Sequence, residues 1–196
     1  IWLVLKREPK TVNTTPKMKQ ITTSNNKNIY VFDNMFELND RNQAYGFAKN
    51  SYFRLGWKDG ISEETVKYEY IHSKYSQEDL EKLRIYHKMM NCEIGEFVKD
   101  MTLSKAMLNL STPSDVNFIH AHPEDIVILY YVNLEWQNGW HGETLFYDET
   151  FSNVEFASPY TPGRVVIFDG RIPHTIRPQS HIASNYRFTL ALTYKK

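Results

Sequence analysis

The chain has 196 residues, 41% apolar and 23% charged, which is enough for one globular domain with a real core. Its formal net charge is zero, so there is no global electrostatic attraction for a nucleic acid or an anionic membrane. Cys92 is the single cysteine, which excludes an intrachain disulfide, and no apolar run approaches the ~18 residues of a membrane span. The opening Ile1-Trp2-Leu3-Val4-Leu5 is short, and Lys6-Arg7 follows rather than precedes it, the wrong order for a secretory signal. The expected compartment is the cytoplasm.

Residues 1–20 carry five Lys/Arg against one Glu, and residues 1–17 read as a flexible arm, tag or extension ahead of a single domain over 18–196. Ile29-Tyr30-Val31-Phe32 predicts a strand. Asp40 is placed to cap a helix over Arg41–Lys49, and Tyr52–Trp57 predicts a second strand. Ser76-Gln77-Glu78-Asp79 resembles a capping box opening a helix from Gln77 to about Met90, with Leu80, Leu83, Tyr86, His87 and Met90 on one face. A further helix is expected near Ile94 to Met101. His72 and His87 read as surface or packing residues. Together, residues of about 36–104 form a helical support.

From Lys105 the pattern changes to short β-branched and aromatic runs separated by turn residues. Strands are expected at Ala106–Leu110, Val116–Ala121, Ile126–Leu134, Glu143–Tyr147, Val154–Ala157, Arg164–Phe168, His174–Ile176 and Tyr186–Tyr194. Short strands at this spacing suggest a sandwich or jelly-roll barrel over about 105–194. The aromatic share of 14%, with thirteen Tyr and eleven Phe, points the same way.

Within this half, Phe118-Ile119-His120-Ala121-His122-Pro123-Glu124-Asp125 holds the first chemical signal. Alternate side chains of a strand share a face, so His120 and His122 point together, with a carboxylate close behind. Alone, a His-x-His is commonly surface decoration. Three later features give it company. Tyr130-Tyr131-Val132-Asn133 precedes Trp140-His141-Gly142-Glu143, then Pro162-Gly163-Arg164-Val165-Val166-Ile167-Phe168 precedes His174, and Arg187-Phe188-Thr189 sits in the closing strand.

This order resembles the Fe(II)- and 2-oxoglutarate-dependent oxygenases, in particular their prolyl-hydroxylase-like branch. That pattern runs His-x-Asp, Tyr-x-Asn, Trp then Gly-Gly-Glu, Pro-Gly-Arg-x-x-x-Phe, a distal His and Arg-x-Ser/Thr, and the likeness covers roughly residues 105–194. It implies an α+β domain, a double-stranded β-helix (jelly-roll or cupin-like barrel) supported by N-terminal helices. It also implies Fe(II), 2-oxoglutarate and O2 as cofactor and cosubstrates, with hydroxylation of a C–H bond and release of succinate and CO2. By the same resemblance Arg187 and Thr189 hold the far carboxylate of 2-oxoglutarate, for which the bidentate guanidinium suits and lysine does not, with Tyr131 as phenol donor. His174 is the distal metal ligand.

The proximal ligands depart from the family. His122-Pro123-Glu124 would restore a two-His, one-carboxylate set. His120-Ala121-His122 would give three histidines, a reading favoured by the loop length to the next strand and by Pro123 interrupting strand geometry. Both registers stay open. His141 stands where the family has Gly and is a possible substrate contact. The substrate is open, with a peptide, a protein or a small molecule favoured and neither membrane nor nucleic acid indicated. The competing classes are a non-enzymatic jelly-roll module that binds carbohydrate or protein, and a metal-bound cupin that does not use 2-oxoglutarate.

Overall fold

Apolar residues alternate along the C-terminal strands, and in the computed structural model, which describes residues 16–58 and 67–196, each set of alternate residues meets a different layer. The elements are β1 (Lys17–Thr22), β2 (Asn28–Asp33), α1 (Leu38–Lys49), β3 (Arg54–Trp57), β4 (Tyr70–Lys74), α2 (Gln77–Glu81), α3 (Arg84–Met90) and α4 (Glu93–Glu96). They continue with β5 (Thr102–Ser111), β6 (Ile126–Tyr131), β7 (Thr144–Tyr147), β8 (Val154–Ser158), β9 (Val165–Asp169), β10 (His174–Ile176) and β11 (Arg187–Lys195). One antiparallel sheet has the order β1-β2-β9-β6-β11-β5-β4-β3, and a second, smaller one has the order β10-β7-β8. This is the α+β double-stranded β-helix expected from the sequence.

Leu108, Ile128, Tyr130, Ile167, Leu190 and Leu192 point to one side of the large sheet, where they pack with Ala44, Leu80, Ile85, Met89 and Ile94 from the helices. The residues between them, among them Val127, Leu129, Tyr131, Val166 and Phe168, point to the other side and pack with Phe146 of the small sheet. A strand's period of two thus separates a helix-backed core from a barrel interior. The interior is where the polar exceptions lie. Among the described residues no helix is long and apolar enough to cross a membrane.

Several local expectations give way to tertiary demands. The helix expected over Gln77–Met90 breaks into α2 and α3, because Leu83 is extended (φ −91°, ψ 113°). That break resets the helical phase, so that Ile85 and Met89 are fully buried while His87 is exposed. The Ser76–Asp79 capping box forms as expected. Asp40 does not cap α1; it lies inside the helix, buried, with an ion pair to Lys88 at 2.5 Å. Helix α4 is a single turn, shorter than expected. The strand expected at Val116–Ala121 is reduced to a bridge between His120 and His174. Strands β1 and β4 lacked the alternation that would have announced them. The arm expected over residues 1–17 falls outside the described residues except for Pro16 and Lys17, which opens β1.

Arg164, at the entry to β9, forms a fork with Asp33 at the end of β2: Nε and Nη2 donate to the two carboxylate oxygens, both at 2.8 Å. The pair ties the N-terminal hairpin to the barrel at a largely shielded position, and only a planar fork makes both bonds at once. Arg164→Lys is expected to cost about 1–2 kcal/mol, a fall of a few degrees in melting temperature for a chain of this size. An unchanged melting curve would show that the fork contributes nothing.

Candidate active site

Three strands floor the barrel cavity, and their register sets its chemistry. Thr189 of β11 lies opposite Asn109 of β5 and Tyr131 of β6; Ala191 lies opposite Met107 and Leu129; Thr193 lies opposite Lys105 and Val127. The cavity therefore has a polar row, an apolar row and a mixed row. His120, His122 and His174 form part of its opposite wall, with Thr144 and Ile176 of the small sheet.

The three imidazoles converge. Their candidate ligand atoms lie within 4.8 Å of one another, and their ring centroids are 4.5–5.0 Å apart. Reciprocal backbone hydrogen bonds between His120 and His174, at 3.0 and 2.9 Å, hold two of them side by side. A bond of 2.7 Å from the His122 amide to the Gly170 carbonyl anchors the third. His174 Nδ1 lies 2.8 Å from the Ile172 carbonyl, and His120 Nδ1 lies 3.0 Å from the Phe118 carbonyl. A carbonyl only accepts, so in each ring Nδ1 carries the proton and Nε2 keeps its lone pair for an ion. Burial, reinforced by the two neighbouring imidazoles, holds the His174 pKa well below the usual histidine value, so the ring is neutral, as a ligand must be.

Glu124 is turned elsewhere. Its carboxylate is buried and receives Lys105 at 3.0 Å and Ser104 at 3.3 Å. Burial pushes its pKa up, but Lys105 more than offsets this and holds it below the ordinary glutamate value. Lys105 also lies 5.4 Å from the Trp57 ring centre. Asp169 engages Arg171 rather than His174.

One step beyond the polar row, opposite Ser111 of β5, lies Arg187, whose side chain is fully buried and meets the cavity through Thr189 rather than lining it. Nε donates to the Gly142 carbonyl at 2.9 Å and Nη1 to the Thr189 hydroxyl at 2.7 Å, while Nη2 has no partner. No carboxylate forms an ion pair with it among the described residues. Tyr131 donates to the Thr144 hydroxyl at 2.8 Å. Both threonine hydroxyls thus accept internally and keep their own protons available. Burial lowers the Arg187 pKa, and the adjacent Tyr160 and Tyr131 oppose this; a guanidinium stays charged regardless. Thr144 was missed by sequence reading, which stopped at the Trp-x-Gly-Glu motif just before it.

His141 caps the short helical turn Asn138–Trp140 at φ 58°, ψ −145°, a region that glycine alone occupies at little cost. Its carbonyl accepts from Trp136 Nε1 at 2.8 Å, and its side chain, half-buried, does not line the cavity. The following Gly142 has φ +87°, and a Cβ there would sit 3.1 Å from Arg187 Cδ. Glycine at 142 spares the arginine that crowding and suits the positive φ of the turn.

No family model matches the sequence, and no curated protein is similar to it. Solved structures are similar in fold. An oxidoreductase of the 2OG-Fe(II) oxygenase family from Burkholderia pseudomallei has a TM-score of 0.60 at 10% identity, over 82% of this chain and 81% of that one. A viral collagen prolyl hydroxylase from Paramecium Bursaria Chlorella virus-1 has 0.57 at 11% identity, over 90% and 93%. A non-haem α-ketoglutarate-dependent epimerase from nogalamycin biosynthesis has 0.62 at 10% identity, over 86% and 78%.

Strain at residue 141 has a measurable consequence. Relief of an unfavourable backbone conformation is worth ~1–3 kcal/mol, and glycine's extra freedom in the unfolded chain takes back up to ~1. His141→Gly is expected to raise stability by roughly 1 kcal/mol, or 2–4 °C in melting temperature. A lower melting temperature would mean that the imidazole makes a stabilising contact outweighing the strain. At these identities the neighbours establish a shared architecture, and the chain has the double-stranded β-helix fold of the 2OG-Fe(II) oxygenases.

Proposed function

We propose that this chain is an Fe(II)- and 2-oxoglutarate-dependent dioxygenase that hydroxylates a C–H bond of a peptide, a protein or a small molecule. The observation that carries this reading is Arg187. An unpaired buried charge is so costly that proteins ordinarily neutralise or pair it. Here, among the described residues, the guanidinium keeps Nη2 without a partner, the Thr189 hydroxyl accepts from Nη1 and the Thr144 hydroxyl from Tyr131, whose ring lies against the same guanidinium, and each hydroxyl retains a proton to donate. These three donors, with the Asn109 amide on the facing strand, describe a seat for a carboxylate.

Histidines 120, 122 and 174 would hold the metal, since imidazole suits iron and all three donor atoms converge. Glu124 is the alternative ligand from the sequence, and its engagement with Lys105 and Ser104 supports the three-histidine set. Arg187 and Thr189 would bind the distal carboxylate of 2-oxoglutarate, with Tyr131 acting through the hydroxyl of Thr144. When bound, Fe(II) and 2-oxoglutarate supply the oxidation, in which O2 places one oxygen atom on the substrate and one in succinate, with loss of CO2. The apolar row of Met107, Ala191 and Leu129 keeps water from competing along the span between the two polar ends. A carbohydrate- or protein-binding jelly roll, or a cupin without 2-oxoglutarate, would leave Arg187 buried with no anion to meet.

The assignment is tested first by turnover. Iron-loaded protein is expected to convert 2-oxoglutarate to succinate slowly without substrate, and loss of this conversion on chelation is part of the expectation. His120→Ala should abolish metal binding measured by calorimetry with Mn(II), whereas Glu124→Ala should weaken it no more than the ~10–100-fold of an outer partner. The reverse ranking would restore the two-His, one-carboxylate set.

Arg187→Lys separates the two ends of the cavity. It should spare metal binding and weaken 2-oxoglutarate at least tenfold, because a lysine neither forks nor reaches the Gly142 and Thr189 oxygens together. Equal loss of both ligands would mean that Arg187 serves folding rather than binding.

A further inference from the structure

The site's cation lies on an aromatic surface of which the proposed reaction itself uses Tyr131 alone. Tyr160 is almost fully buried, its ring centre 4.6 Å from the Arg187 guanidinium carbon and 4.6 Å from the Tyr131 ring, which stacks on it at 18°. Trp136 packs against it at a tilt, with ring centres 4.6 Å apart. The Tyr160 hydroxyl approaches the Asn133 Oδ1 at 2.6 Å and the Phe188 carbonyl, and it accepts from the Asn133 amide at 3.3 Å. Asn133 Oδ1 also accepts from the Phe188 amide at 2.8 Å, and Asn133 Nδ2 donates to the Tyr186 carbonyl at 2.8 Å. The ring under Arg187 is thus fastened to the backbone on both sides of Arg187 itself.

Resting on the reading above, we infer that Tyr160 is a positioning residue for Arg187, a fixed π surface that holds the guanidinium in its anion-binding pose where a counter-ion would otherwise do so. The negative face of an aromatic ring attracts a cation, and most strongly where both are stripped of water. A carboxylate in that place would compete with the ligand for the same donors. A ring face steadies the cation without occupying its N–H groups, which leaves Nη2 for the incoming anion. Burial raises the Tyr160 pKa above the ordinary phenol value, so the hydroxyl stays protonated and the ring stays neutral beneath the cation.

The size of the effect follows from what changes between free and bound protein. Attraction between ring and guanidinium is present in both states and largely cancels. What remains is the ordering of Arg187, which a protein lacking the ring must supply at the moment of binding. Immobilising one such side chain corresponds to roughly 2–12-fold in affinity.

The test compares 2-oxoglutarate with 2-oxopentanoate, a keto acid of equal length carrying a methyl in place of the distal carboxylate, on Mn(II)-loaded protein by calorimetry. Wild type should prefer 2-oxoglutarate. Tyr160→Met, which fills the space without a π face, should lose roughly 3–10-fold of that preference, and Tyr160→Leu should behave alike. Tyr160→Phe keeps the ring and should keep the preference within about twofold, although losing the hydroxyl lowers its melting temperature. Mn(II) affinity should hold in all three. A merely structural role would move melting temperature and both ligands together, so unchanged preference in the Met variant overturns the inference while leaving the carboxylate seat intact. Loss of preference in the Phe variant overturns it too, because the hydroxyl network and not the ring face would then be responsible. Absence of any preference in wild type removes the carboxylate seat and this inference with it.

Discussion

A guanidinium sealed inside the barrel, without a carboxylate partner among the described residues, is the constraint around which much of this structure is arranged. Its desolvation must be offset by whatever lies within reach, and each neighbour is of a type that can help. The Gly142 carbonyl and the Thr189 hydroxyl take one N–H each, and the faces of Tyr160 and Tyr131 supply attraction of a non-directional kind. Gln179 accepts from the Arg187 amide at 3.0 Å while its own Nε2 donates to the Asn185 carbonyl, so the backbone at the strand entry is fixed as firmly as the side chain. The requirement propagates into sequence: a Cβ at 142 would crowd Arg187 Cδ at 3.1 Å, and the turn that brings Gly142 there is closed by a residue in a conformation that suits glycine better than histidine.

The strand period supplies the second organising element. Arg187, Thr189, Ala191 and Thr193 share one face of β11 because successive side chains alternate, and the facing residues of β5 and β6 fall in register with them. A one-residue slip would send Phe188, Leu190 and Leu192 into the cavity and the guanidinium into the helix-packed core. Such a slip would expose or misplace nearly every apolar group of the central strand, so the register that builds the site is the same register that builds the core. Stability and function are here set by one alignment.

What the sequence made legible follows from the same physics. The strands from β5 to β11 announced themselves through β-branched runs and turn residues, and His120, His122 and His174 could be singled out from their order along the chain, with Glu124 left open as an alternative to His120. Arg187 and Thr189, two residues apart on a strand, were expected on one face, as the hydrogen bond between them requires. The helical layer was less legible. Leu80, Leu83 and Met90 suggested one continuous stripe, whereas burying Ile85 and Met89 calls for a break at Leu83, a demand made by the sheet and invisible in local periodicity. Asp40 looked like a cap because its partner, Lys88, is distant in sequence. Tyr160 and Thr144 escaped notice for a similar reason. Neither belongs to a motif, and each gains its meaning only from a residue brought near by folding.

Charge explains why a carboxylate can be spared from the metal side on the proposed assignment. With the imidazoles neutral, as metal ligands must be, and with Lys105 and Glu124 cancelling one another at 3.0 Å, Arg187 leaves the site with one net positive charge. A divalent ion would raise this to three, and the two carboxylates of 2-oxoglutarate would bring it back to one. With a carboxylate ligand the loaded cavity would be neutral. The three-histidine set therefore gives the anion a stronger field to enter, in a low-dielectric interior where salt screens poorly. It also makes the metal and the dicarboxylate more dependent on each other, since each relieves charge that the other leaves exposed. A buried carboxylate as near as Glu124 is compatible with that coupling only while Lys105 occupies it. The ion pair beside the metal end and the aromatic platform beneath the guanidinium then serve one purpose, which is to leave the anion's place open.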